Sequence, residues 1–226
     1  MLRDLAYLFY PIYCAACDSP LYKNERLLCT SCRHQLPLGN FHKINAKKIE
    51  KVFYGRANIQ NATSLFVFEK EGLVQNLIHN LKYRGQEEIG SELGKWLGEE
   101  LLKVVEYKEI DVVIPVPLHK KRLQERGYNQ VEKFGREISK MLDAEYTDSV
   151  LKKISYNSKQ SKKGRLTRWI NAAETFGIQN ESLLMNKHIL LVDDIITTGS
   201  TIEACVDVLK TIPGIKISVA TMAITE

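Results

Sequence analysis

Ile189-Leu190-Leu191-Val192-Asp193-Asp194-Ile195-Ile196-Thr197-Thr198-Gly199-Ser200-Thr201 is the stretch that decides the fold. Its apolar start predicts a buried strand, here His188 to Val192, that delivers two adjacent carboxylates to its carboxyl edge. A loop of Thr, Gly and Ser follows, and a helix begins whose stripe is Ile202, Cys205, Val206 and Leu209. In open α/β sheets, ligands bind beyond the carboxyl ends of strands. Loop N–H groups and a helix N-terminus attract an anion there. Gly199 lets backbone approach a phosphate, and the hydroxyls of Thr198, Ser200 and Thr201 add donors. Asp193 and Asp194 would repel that phosphate, so they must face a donor such as ribose hydroxyls or a metal ion. Neither a GxGxxG fingerprint nor a Walker lysine loop is present. The pattern fits a sugar with a 5-phosphate and free vicinal hydroxyls. The competing reading is a plain helix cap after a core strand, with the Asp pair in solvent.

Working outward, Val112, Val113 and Ile114 form another continuous apolar strand, stopped by Pro115 and Pro117. Val131, Phe134, Ile138 and Met141 mark a helix, with Asn129 and Glu132 as an imperfect capping box at its start. Ile215 to Ile224 make a last strand. Buried strands alternating with amphipathic helices predict a mostly parallel α/β sheet. Earlier in the chain, residues 52–69 are aromatic-rich and read as two short strands. Leu73, Leu77, Ile78 and Leu81 have helical spacing, as do Ile89, Leu93, Trp96, Leu97 and Leu101. Lys82-Tyr83-Arg84-Gly85 lies between these two helices.

A length of 226 residues suits one core domain plus a small module, and 44% hydrophobic with 26% charged residues excludes disordered and fibrous classes. No apolar run approaches the ~18–20 residues of a membrane helix. Residues 5–13 read as a packing segment rather than a signal peptide, which makes the cytoplasm the expected compartment. The net charge of +5 is concentrated. Of the 32 Lys and Arg, seven lie in residues 151–168, which hold no Asp or Glu, and the other 25 face 27 acidic residues. Such a cluster points to an anionic partner, with a solvated loop as the alternative.

Residues 1–40 hold Cys14, Cys17, Cys29 and Cys32, spaced CxxC-x11-CxxC. Two such hooks meet the tetrahedral four-thiolate demand of structural zinc and leave no open position for catalysis. Redox dithiols are the alternative. Leu36-Pro37-Leu38-Gly39 is a module boundary by composition. His34 is surplus to the metal set, and Cys205 sits on a helix stripe as a core thiol. Near the cysteines, Lys23, Arg26, Arg33, Lys43, Lys47 and Lys48 with Tyr13, Tyr22 and Phe41 form a candidate single-strand surface, weighed against scattered surface lysines.

Taken together with Pro115-Val116-Pro117-Leu118-His119, Arg122, Arg126-Gly127-Tyr128-Asn129-Gln130 and the cysteine quartet, residues 189–201 resemble the phosphoribosyl-pyrophosphate (PRPP) loop of type I phosphoribosyltransferases. The combination is most similar to the ComF competence family. That resemblance spans nearly the whole chain. It implies a zinc module at 1–40 and a phosphoribosyltransferase-like domain at 41–226, with 41–110 as hood and 111–226 as core. It implies that Asp193 and Asp194 hold ribose hydroxyls and the Mg²⁺ that accompanies PRPP. Thr197, Thr198, Gly199, Ser200 and Thr201 would cradle the 5-phosphate. Pro115, Val116 and Pro117 would form the pyrophosphate turn. Residues 156–171 occupy the place of the flexible catalytic loop, with Lys163 and Arg165 as candidates to stabilise departing pyrophosphate. Arg84, Arg122 and Arg126 are further candidates for the anion surface, with Lys120 and Lys121 beside them. Relatives acting on 6-oxopurines carry an Asp where this chain has Thr197, which argues against that base class but leaves orotate-like chemistry open. His119 is a possible proton acceptor or a solvated loop residue. The implied role is DNA uptake in natural transformation, with single-stranded DNA and a DNA-translocating ATPase or helicase as partners. The alternative is an active phosphoribosyltransferase acting on an unidentified base or amine.

Overall fold

Strands that are apolar on both faces need cover on both, and the sheet has it. The computed structural model describes residues 11–44, 46–154 and 175–225. In chain order the elements are α1 (Thr30–Gln35), α2 (Ala46–Phe53), β1 (Ala62–Phe68), α3 (Leu73–Tyr83), α4 (Glu88–Leu101), α5 (Val105–Lys108), β2 (Val112–Pro115), α6 (Lys120–Arg126), α7 (Glu132–Leu142), β3 (Glu145–Tyr146), β4 (Leu151–Lys153), β5 (Phe176–Ile178), β6 (His188–Ile196), α8 (Ser200–Leu209) and β7 (Lys216–Thr225). A five-stranded parallel sheet runs in the order β1-β7-β6-β2-β3, and β4 and β5 form a separate antiparallel pair. β6, which carries the acid doublet, is the middle strand. Leu190 and Val192 face a core shared with α3, α4, α7 and the cysteine segment. Ile189 and Leu191 face a second core with α2, α8 and the β4–β5 pair. No helix among the described residues is long and apolar enough to cross a membrane.

The helices follow their stripes. Leu77, Ile78 and Leu81 are buried on α3, and Ile89, Leu93, Leu97 and Leu101 on α4. α4 also presents Gly90, Gly94 and Gly98 to α7. A Cβ on Gly94 would stand 2.5 Å from the Phe134 carbonyl oxygen, so only glycine lets the two backbones come this close.

Two local expectations are corrected. Residues 52–54 are not a strand: Val52 and Phe53 close α2, where Ile49 and Phe53 are both buried at i, i+4 spacing. The capping box does not form either. Val131 is the N-cap of α7 without a side-chain bond; Asn129 Oδ1 accepts the Val131 N–H at 3.3 Å rather than that of Glu132, and the Asn129 amide donates to the Val116 carbonyl at 3.0 Å.

Candidate functional site

The acid doublet lies within β6, not in the loop beyond it, and both carboxylates are buried, Asp193 at 9% and Asp194 at 5% exposure. That removes the reading of a solvated pair. β2 ends at Pro115 opposite Val192, and the Val116 N–H makes the last bond to Val192 at 2.8 Å, while β6 runs on to Ile196. The sheet therefore opens beside the doublet, on the β2 side. Adjacent residues of a strand face opposite ways. Asp194 points with Val192 toward α3 and α7, and Asp193 with Leu191 toward α8.

Asp194 finds its donors in the chain itself. Lys82, at the end of α3, places Nζ 2.9 Å from Oδ2, and Gln130 donates to the same oxygen at 2.7 Å. Arg126 in turn donates to the side-chain Oε1 of Gln130 at 2.7 Å. Asp193 accepts the Asp194 N–H at 2.8 Å. Burial first, and the Asp194 charge second, push its carboxyl up to about 7. Lys153 on β4 is among the charges that oppose this rise, and its own ammonium is lowered by burial.

The run from Arg126 to Gln130 now has a physical account. Gly127 ends α6 in the left-handed region at φ 81°. Tyr128 donates to the Leu81 carbonyl, one residue before Lys82. Asn129 secures the Pro115–Pro117 turn through Val116, and Gln130 secures Asp194. A single short segment thus ties the Pro115–Pro117 turn, α3 and the doublet together. Lys82, Tyr83, Gly85, Arg122, Glu125, Arg126 and Tyr128 line a cleft of about 400 Å³. The Arg126 guanidinium lies 5.4 Å from the centre of the Tyr83 ring. Arg122 and Arg126 both line this cleft. Arg84 is exposed at the end of α3 and is not among the lining residues.

Beyond the doublet, Thr197, Thr198, Ser200 and Thr201 are exposed, whereas Gly199 is buried at φ 74° as the N-cap of α8. The Thr198 hydroxyl donates to the Ser200 hydroxyl at 3.1 Å. Exposed hydroxyls at the start of a ten-residue helix are an anion-binding arrangement. His119 caps α6: its Nδ1 accepts the Lys121 N–H at 3.2 Å. Lys163 and Arg165, with the rest of residues 156–171, lie outside the described residues, as do residues 5–10; the side chain of Lys47 is likewise outside the description.

The sulfur atoms of Cys14, Cys17, Cys29 and Cys32 all lie within 4.8 Å of one another, a cluster that can hold a metal ion. The Cys29 N–H points to the Cys14 sulfur at 3.3 Å and the Cys32 N–H to the Cys29 sulfur at 3.4 Å. Hydrogen bonds from Ser19 lower the Cys17 thiol to about 6. The cluster docks on α3: Asn80 and Asn76 each donate at 2.8 Å, to the Ala15 and Ala16 carbonyls between the first two cysteines. Arg33 pairs with Glu92 at 3.2 Å and covers Trp96, and Lys43 pairs with Glu100, so both are committed to the protein. Phe41 is 2% exposed and cannot stack on a base, while Tyr13 and Tyr22 are open to solvent. His34 is exposed and Cys205 buried, as expected.

Sequence reasoning missed Lys82 and Gln130. A signal existed for Lys82, which stands four residues after Ile78 and continues the buried face of α3 with a charge in place of an apolar residue. For Gln130 there was none beyond its place in the motif.

The middle parallel strand carries an acid pair near its carboxyl end, followed by a hydroxyl-rich loop and a helix, an arrangement similar to that of type I phosphoribosyltransferases, here beside a four-cysteine cluster. Residues 132–223 match the family described as "Phosphoribosyl transferase domain", a span that includes the doublet and the loop. The chain is homologous to "Competence protein F" of Haemophilus influenzae, 25% identical over 215 residues that cover 89% of this chain and 92% of that one. It is likewise homologous to "Competence protein ComFC" of Bacillus subtilis, 27% identical with 86% and 87% covered. "DNA utilization protein YhgH" of Escherichia coli K12 is 28% identical over 136 residues, 59% of each chain. Among solved structures, a hypoxanthine phosphoribosyltransferase of Staphylococcus aureus superposes with a TM-score of 0.37 at 20% identity, over 60% of this chain and 62% of that one.

Proposed function

We propose that this chain binds PRPP with Mg²⁺ and acts in the handling of DNA taken up by the cell, in contact with single strands. The observation that carries the PRPP reading is the buried Asp193–Asp194 pair followed at once by the exposed hydroxyl loop on the N-terminus of α8. Phosphate belongs at the loop and ribose hydroxyls or the cation at the doublet, because a carboxylate repels the one and attracts the other. Arg122 and Arg126, which line the cleft beside Lys82, are proposed to supply cationic cover for the pyrophosphate, with Lys163 and Arg165 adding theirs. The DNA role rests on the names of the relatives and on the concentrated positive charge of residues 151–168. The four cysteines are proposed to hold one structural zinc ion, and residues 1–40 to act as its module on the domain formed by 41–226.

A second reading, transfer of phosphoribose to a base or amine, draws on Asp193. A carboxyl held near 7 is ready to take the proton the acceptor loses when its nitrogen bonds the sugar and pyrophosphate leaves. One set of measurements decides. PRPP with Mg²⁺ is expected to raise the melting temperature of the parent chain and to leave the Asp193→Ala/Asp194→Ala variant unmoved; an equal rise in both defeats the assigned site. Single-strand affinity is expected to fall steeply with salt, and a flat response defeats the DNA contact. Pyrophosphate release with any base or with single-stranded DNA selects the second reading, and binding without release selects the first. Elemental analysis is expected to find one zinc per chain.

A further inference from the structure

Arg56 stands behind the phosphate loop, 142 residues from it in sequence, in the turn that follows α2. Its Nη1 donates to the Thr198 carbonyl at 2.8 Å and to the Val52 carbonyl at 3.2 Å. Its Nη2 pairs with the Glu203 carboxylate. Gly199 meets the same surface: a Cβ there would stand 2.9 Å from the Phe53 ring and 3.0 Å from a Val52 methyl. The loop is therefore gripped from the α2 side by one apolar and one polar contact.

The Arg56 contacts with the Thr198 carbonyl and with Glu203 both bear on anion binding. In a trans peptide the C=O and the next N–H point in opposite directions. A guanidinium holding the Thr198 carbonyl on the α2 side turns the Gly199 N–H to the other side. Glu203 lies in the first turn of α8, where an uncompensated carboxylate would repel a phosphate bound at the helix start. Arg56 neutralises it through Nη2 while Nη1 holds the Thr198 carbonyl, a grip on two separate groups that lysine cannot reproduce.

We propose that Arg56 is a positioning residue for the sugar 5-phosphate: without touching the ligand, it orients the Thr198–Gly199 peptide and cancels the charge of Glu203. This rests on the PRPP reading of the loop. The test is calorimetric titration of the full chain with ribose 5-phosphate, with PRPP and Mg²⁺, and with pyrophosphate and Mg²⁺. The variants are Arg56→Ala, Arg56→Lys and Arg56→Ala/Glu203→Gln. Arg56→Ala is expected to weaken ribose 5-phosphate and PRPP about tenfold, the scale of a lost charge-assisted hydrogen bond, and to leave pyrophosphate unchanged because it binds at the other end of the site. Glu203→Gln in that background is expected to recover part of the loss. Arg56→Lys keeps the charge without the two-point grip and is expected to fall between; it carries the comparison if the Ala variant does not fold. Parent-like ribose 5-phosphate affinity in Arg56→Ala overturns the proposal, and so does an equal loss for pyrophosphate, which marks a general collapse. A parent chain that binds neither ribose 5-phosphate nor PRPP overturns the loop reading itself.

Discussion

The two faces of β6 treat their carboxylates differently. Asp194 meets an ammonium at 2.9 Å and an amide at 2.7 Å, both on one oxygen. One residue earlier, Asp193 faces the apolar side of α8, where Cys205 is fully buried, and has the neighbouring amide at 2.8 Å as its donor. The first acid has its counter-charge built in. The second retains an electrostatic cost that a bound cation or a proton relieves. Equal residues at neighbouring positions thus become a fixed anchor and a titratable group, because strand geometry sends them into different surroundings.

Removing each acid in turn should expose this contrast most strongly. Asp194→Ala strands the Lys82 ammonium and the Gln130 amide and is expected to cost about 3 kcal/mol in urea unfolding, typical of a broken buried pair. Asp193→Asn removes a desolvated charge and is expected to leave stability at pH 8 unchanged or higher; equal losses in the two variants would break the comparison. The pH dependence comes next. The folded-state value of Asp193, about 7, lies above the ordinary 3.8, so the folded chain binds the proton more tightly. The stability this contributes is fully present below pH ~4 and is lost as pH rises toward and through 7. The difference between parent and Asp193→Asn unfolding curves is expected to show that slope, and identical curves would remove the titrating group. A smaller effect, about 1–2 kcal/mol, is expected for Gln130→Ala, which takes away one of the two donors to Asp194 and leaves the Arg126 guanidinium without its acceptor. Differential scanning calorimetry at one pH suffices to read it.

Much of this was legible in the sequence, because buried strands and amphipathic helices write their environment locally. Leu190 and Val192, Leu77 and Leu81, and Phe134 and Ile138 all lie where their spacing put them. Of the two short strands expected within residues 52–69 one fails, because Phe53 and Tyr54 have β-forming side chains, while the deciding contact is the burial of Phe53 one turn after Ile49. The doublet and the loop could be named from residue types alone. Their partners could not. Lys82 reaches Asp194, and Arg56 reaches Thr198, across distances in the chain that only the sheet order closes. Phe41 carried a stacking expectation because an aromatic ring beside basic residues looks the same in sequence whether it is open or buried.

The rims of the sheet carry one more consequence. Along β1, the Gly39 N–H donates to the Leu65 carbonyl and the Val67 N–H to the Pro37 carbonyl, both at 2.9 Å, with Leu38 bridged antiparallel to Phe66. At the opposite rim β3 is only two residues long. Among the described residues, neither border of the five-stranded sheet offers a long row of free amides for another chain to extend, so edge-to-edge growth of this sheet is disfavoured.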